Sequence, residues 1–265
     1  MARLSWTRIA AVARKELTEF RRNRLIVVTM TIFPFVFLVA PVSQLFADKA
    51  LADAATSTLT RVHIGLSTLY LMMVPVVVPV TVSGYSVVGE RDQGTLEPLL
   101  ATPVSRLDLL FGKAVAIFIP AVTISWVMFG LFVGIVKLFI NPVLANVVLH
   151  APQLWAGLAF APLLCGWGIW AGLAISTKVS DTRVAQQLTL LGSLPPLAVV
   201  VLFGFQVIAA TVTVAILLGV VLLVIDSAAG FFVARLFDRE RLVTGNSSRA
   251  ETPAAKSAVT KVAAN

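Results

Sequence analysis

Between Val184 and Ile225 the chain carries no Asp, Glu, Lys or Arg over forty-two residues. An apolar run of eighteen or more residues is long enough to cross a bilayer, and this one holds two. Inside lipid every backbone N–H and C=O must find a partner within the protein, which leaves helices as the form such runs take. The spacing predicts spans at about 188–205 and 209–234, joined by a tight outer turn near Gly204 to Gln206. A re-entrant pair at the outer face satisfies the same hydropathy.

The rest of the chain agrees. It is 58% hydrophobic and 13% charged, with a mean hydropathy of +0.93, where soluble proteins carry roughly 25% charged residues. Its 265 residues suffice for about six spans of about 20 residues each. The expectation is an all-α membrane protein, a six-transmembrane-helix bundle forming one domain over 25–234. Residues 1–24 precede it, and a basic tail over 235–265 reads as disordered. The single cysteine, Cys165, lies in an apolar run and excludes an internal disulfide framework.

Further spans are expected at about 25–46, bent by Pro34 and Pro41, and at about 63–88, with Pro75 and Pro79 and an irregular end at Ser83-Gly84-Tyr85-Ser86. Another should run from about Lys113 to Ile140, with Lys113 and Lys137 snorkelling to opposite interfaces. The fourth, about 154–176, has Gly157, Ala161, Gly166, Gly168 and Gly172 spaced for close helix packing. An inner loop is expected from Ser176 to Gln187. Ahead of the first span, Trp6, Ile9, Ala13, Leu17 and Phe20 share one arc of a helix, and basic residues including Arg8, Arg14 and Lys15 fill the rest. Such a helix would lie flat in the interface with its apolar side towards acyl chains.

The long polar interruption runs from Glu90 to Lys113 and contains Glu90, Asp92, Glu97 and Asp108. Gly94 and Thr95 can open a short helix, since Thr caps well and Pro98 falls in the first turn. Leu96, Leu99 and Leu100 then share one face, and Pro103 stops the helix near Thr102. Ser105 with Asp108 reads as a capping box that restarts a helix.

Glu90, Gly94-Thr95-Leu96-Glu97, Leu99-Leu100, Thr102-Pro103-Val104-Ser105-Arg106 and Gly112-Lys113 together resemble the signature of type 2 ABC-transporter permeases, the membrane subunits of ATP-driven exporters. Ala13-Arg14-Lys15-Glu16-Leu17 is similar to that family's interfacial elbow helix, and Val184-Ala185-Gln186-Gln187 leading to Leu194-Pro195-Pro196 resembles the start of its fifth span. The resemblance implies a cytoplasmic coupling helix between spans 2 and 3, docking on a separate ATP-binding-cassette ATPase. The coupling residues would be Glu90, Gly94, Thr95, Leu96, Glu97, Leu99, Leu100, Pro103 and Arg106, with Glu90, Glu97 and Arg106 making polar contacts that stiffen the loop. The elbow would be carried by Trp6, Ile9, Lys15, Glu16, Leu17 and Phe20. The resemblance also implies a second permease copy, a bacterial or archaeal cell membrane, ATP and Mg on the partner subunit and none on this chain. Drug, peptide, lipid or ion substrates all occur within such a family.

Charge supports the orientation. With both termini cytoplasmic, the inner segments hold eighteen Lys/Arg and the outer ones three, the asymmetry that the positive-inside rule requires. The net charge of +8 is therefore matched to anionic inner-leaflet lipid rather than to nucleic acid. Catalytic motifs are missing. Gly112-Lys113-Ala114 looks like a Walker A ending, but residue 107 is Leu and residue 114 is neither Ser nor Thr. Two histidines do not make a metal site by themselves. Asp226 is the one acid deep in the last span, and two readings stand for it: a lining of the transport path, or a hydrogen-bonding tie between helices. An ion-coupled carrier that works without an ATPase is the alternative function, and it would use Asp226.

Overall fold

The structure, a computed structural model, describes residues 5–47, 58–94, 104–205, 207 and 211–236. Among them the chain forms ten helices and no strand. They are α1 (Trp6–Arg22), α2 (Arg24–Ala47), α3 (Thr58–Tyr85), the short α4 (Val88–Asp92), α5 (Arg106–Phe139), α6 (Pro142–Leu149), α7 (Pro152–Lys178), α8 (Thr182–Gly192), α9 (Leu194–Gly204) and α10 (Val212–Leu236). Six stretches are long and apolar enough to cross a bilayer: Ile26–Ala47, Val62–Asp92, Leu107–Phe139, Pro152–Lys178, Thr182–Leu202 and Thr213–Arg235. The chain is a multi-pass, all-helical membrane protein.

Several boundaries differ from those expected, each for a local reason. The third span begins at Leu107 rather than near Lys113, because the helix that the Ser105–Asp108 cap was expected to restart, with the Ser105 hydroxyl accepting the Asp108 N–H at 3.1 Å, is already part of it from Arg106 on. The loop expected over Ser176 to Gln187 shrinks to residues 179–181. The Asp181 carboxylate accepts the N–H groups of Arg183 and Val184, starting α8 at Thr182. The fifth span has two pieces, α8 and α9. Pro195 and Pro196 have no N–H to offer the carbonyls of Leu191 and Gly192, so the helix breaks at Ser193 and restarts. The connection after Asn141-Pro142 contains a helix, α6, capped by the Asn141 side chain. At the chain's end, α10 continues to Leu236, two residues into the stretch assigned to the tail; the remainder of the tail lies outside the described residues.

Helix α3 is the centre of the bundle, with α2, α5, α7, α8 and α9 packed around it, while α1 lies on α5 and α10 lies on α7. The α3–α7 contact is the most extensive in the bundle, and α7 presents glycine to it. A Cβ on Gly172 would stand 1.9 Å from Ser83 Oγ and 2.9 Å from the Gly84 backbone nitrogen, and one on Gly168 would press on Val80 and Pro79. Ser83 Oγ donates to the Gly168 carbonyl at 3.0 Å across this seam. The small-residue stripe therefore does what its spacing predicts. Gly172→Ala has no room without moving the α3 backbone. It is expected to lower unfolding free energy by roughly 1–3 kcal/mol, measurable as a fall in melting temperature of the detergent-purified protein.

Candidate functional site

The site grows from two charged residues placed on apolar helix faces. On α1, Ile9, Val12, Ala13, Glu16 and Phe20 are all buried, so the face that packs inward carries a carboxylate in its middle. On α5, Lys113 is fully buried among Leu109, Leu110, Ala114 and Ile117. An isolated ion in such a place is very costly, and each needs the other.

They meet. Lys113 Nζ lies 2.9 Å from Glu16 Oε1 and 2.9 Å from Glu90 Oε1, and donates to the Ser86 carbonyl at 3.2 Å. Those three acceptors match the three N–H donors of an ammonium group. Lys15 adds a second cation from the α1 rim, 3.1 Å from Glu90 Oε1, 3.4 Å from Glu16 Oε1 and 3.1 Å from Glu19 Oε2. Burial disfavours the charge on Lys15, but the Glu16 and Glu90 carboxylates outweigh it and hold its pKa above the usual lysine value. One knot of charge thereby joins α1, the α3–α4 corner and α5. The carboxylate oxygens of Glu16, Glu19 and Glu90 come within 4.8 Å of one another, and Lys15 Nζ lies within 3.4 Å of all three carboxylates.

Two further ties flank the knot. The buried Asp108 accepts the Ser5 N–H at 3.0 Å and lies 3.5 Å from Arg8 Nε, which fixes the start of α1 to the start of α5. At the corner between α3 and α4, the Ser176 hydroxyl of α7 accepts both the Val87 and the Val88 N–H, at 3.0 and 3.1 Å. Arg91 Nη1 donates to the Val179 carbonyl at 3.0 Å, and the Thr182 hydroxyl bonds the Asp92 carboxylate. Gly94, with φ of 67°, closes α4 in the left-handed conformation that glycine tolerates. It ends α4, and the helix expected to open at Gly94 and Thr95 falls on residues outside the described ones.

Of the residues singled out from sequence, Glu90, Lys15 and Glu16 are brought together in the knot. Ile9 and Phe20 are buried, Leu17 is half-buried, and Trp6 is exposed. The apolar arc of α1 corrects the expectation that it faces acyl chains: it packs on α5, with Phe20 and Ala13 in a cluster that includes Val87, Leu109 and Leu173. Thr95, Leu96, Glu97, Leu99, Leu100 and Pro103 lie outside the described residues. Arg106 is the first residue of α5. Asp226 sits apart on α10, buried against α7. Lys113 is the residue that the sequence reading misplaced, since it pairs inside the bundle instead of snorkelling to an interface. The usable signal was the coincidence of a Glu on the apolar arc of one helix with a Lys in the apolar run of another.

A family model described as ABC-2 family transporter protein matches residues 10–237, which take in α1 after its first turn and every candidate span. No curated protein gives a match.

Proposed function

Because the chain belongs to the ABC-2 family of transporter permeases, we propose that it is the membrane subunit of an ABC exporter, coupling substrate movement out of the cell to ATP hydrolysed, with Mg, on a separate ATPase chain. Family membership makes it the transport subunit and not the ATPase, and it argues against the ion-coupled carrier. Two permease copies pair, homomeric or heteromeric, with both termini of each in the cytoplasm. Helix α1 serves as the elbow, and the segment from Gly94 to Arg106 serves as the coupling element, its Leu96, Leu99 and Leu100 seated on the ATPase.

The observation that carries the reading is the charge knot. Glu90 stands four residues before Gly94, so the stretch read as the coupling element leaves the bundle beside the place where α1, α4 and α5 are ionically joined. A push delivered there by closure of the ATP-bound dimer reaches several spans at once, and packed helices respond by moving as near-rigid bodies.

Glu90 is the test. Reversing its charge would set a third cation beside Lys15 and Lys113 and endanger folding, so the neutral Glu90→Gln is the informative variant. Co-purified with its ATPase and reconstituted, it should lose at least about 5-fold in substrate-stimulated ATP hydrolysis, the low end of usual coupling energies, while still binding the ATPase. Stimulation equal to the parent's would refute the knot's part in coupling.

A further inference from the structure

We propose that the cavity between α5, α7 and α10 binds a hydrophobic monovalent cation, a quaternary or protonated amine with an apolar tail, for which Asp226 is the counter-ion. This builds on the exporter reading by naming a ligand class, and it concerns residues that take no part in the charge knot.

Asp226 lies nine residues before Arg235, roughly 13 Å into the last span at 1.5 Å per residue. It is only 8% exposed, and its Oδ1 has no hydrogen-bond partner among the described residues. None of the ion pairs among them reaches it. Lys113, on the neighbouring helix, is engaged by Glu16 and Glu90, and the adjacent Cys165 offers no positive charge. A carboxylate held so deep normally meets a partner or a cavity, and here the cavity is present.

It measures about 290 Å³ and is walled by Phe111, Ala114, Phe118, Leu163, Trp170 and Leu223, with Asp226 as its acid. The absence of a side chain on Gly166 is what admits the carboxylate, since a Cβ there would lie 2.5 Å from Asp226 Oδ2. Phe111 and Trp170 meet edge to face at 5.9 Å, supplying aromatic surface of the kind that attracts alkylated ammonium groups. Phe118 and Leu223 are exposed at the margin, so the cavity opens on the lipid-facing side of the bundle. A cationic amphiphile dissolved in the bilayer can reach it with its head against Asp226 and its tail in lipid. The volume lies at the small end of ligand pockets and suits a head group rather than a bulky polycycle.

Full-length protein in nanodiscs of neutral phosphatidylcholine, without the ATPase, should bind tritiated decyltrimethylammonium saturably in a scintillation-proximity assay. Unlabelled decyltrimethylammonium should compete, whereas decanol and decyl sulfate at matched membrane concentration should not. Asp226→Asn should weaken binding at least 10-fold. Leu163→Trp, which fills the cavity and leaves the acid in place, should weaken it as much, so the test survives if one variant fails to fold. Binding by either folded variant within twofold of the parent, or equal competition by decanol, overturns the proposal, as does the absence of saturable binding to the parent. Because no ATPase is present, any of these results leaves the coupling reading untouched, and loss of ATPase stimulation in Glu90→Gln leaves this site untouched.

Discussion

Lys113→Met is expected to lower the unfolding free energy by about 3–5 kcal/mol, the range for removing one partner of a buried ion pair. Lys113 is fully buried, and its loss strips Glu16 and Glu90 of their closest cation. Lys15, which is half-buried on the α1 rim, cannot neutralise both. The result should be seen as a melting temperature several degrees lower and as aggregated material in size-exclusion chromatography from detergent. Combining Lys113→Met with Glu90→Gln removes one charge of each sign and leaves the Lys15–Glu16 pair, so the double variant should recover at least half of the loss. Lys15→Met alone should cost far less, since a partly exposed pair is screened by solvent. A Lys113→Met protein as stable as the parent would mean that the buried charges are satisfied in some other way.

The second large effect is on assembly. Leu99→Asp places a carboxylate on the leucine face assigned to the ATPase contact, and truncating or charging such an anchor typically removes 2–4 kcal/mol of binding, about 30- to 1,000-fold in affinity. Leu96→Asp should behave alike. Affinity capture of the tagged permease should then recover the membrane subunit without its ATPase, at an unchanged expression level. ATPase retained at the parental ratio in both variants would place the docking surface elsewhere on the chain.

How much of this was legible beforehand depended on whether the signal was local. The six spans followed from hydropathy, the cap at Ser105 from its spacing to Asp108, and the close α3–α7 packing from the glycines of one helix. Each rests on residues within a few turns of one another. Lys113 was misread because a lysine in an apolar run can be satisfied by reaching an interface or by pairing inside, and its partner Glu16 is 97 residues away in sequence. The amphipathicity of α1 disclosed a face but not its covering, which turned out to be α5 rather than lipid. The loop expected between α7 and α8, Ser176 to Gln187, was drawn too long because a polar stretch can be loop or the first turns of a helix, and the Asp181 side chain caps the next helix at Thr182. The leucine face assigned to the coupling element lies outside the described residues and rests on spacing and family membership.

The Ser176 hydroxyl has a consequence beyond holding a corner. At the α3–α4 turn two backbone amides find their acceptor in a side chain of α7, so the main-chain geometry of one helix is completed by its neighbour. Displacing α4 without α7 would strand both amides in an apolar surrounding. With Arg91 and Thr182 bridging on the same side, the ends of these helices share their degrees of freedom, and a displacement imposed on one is inherited by the others with little slack.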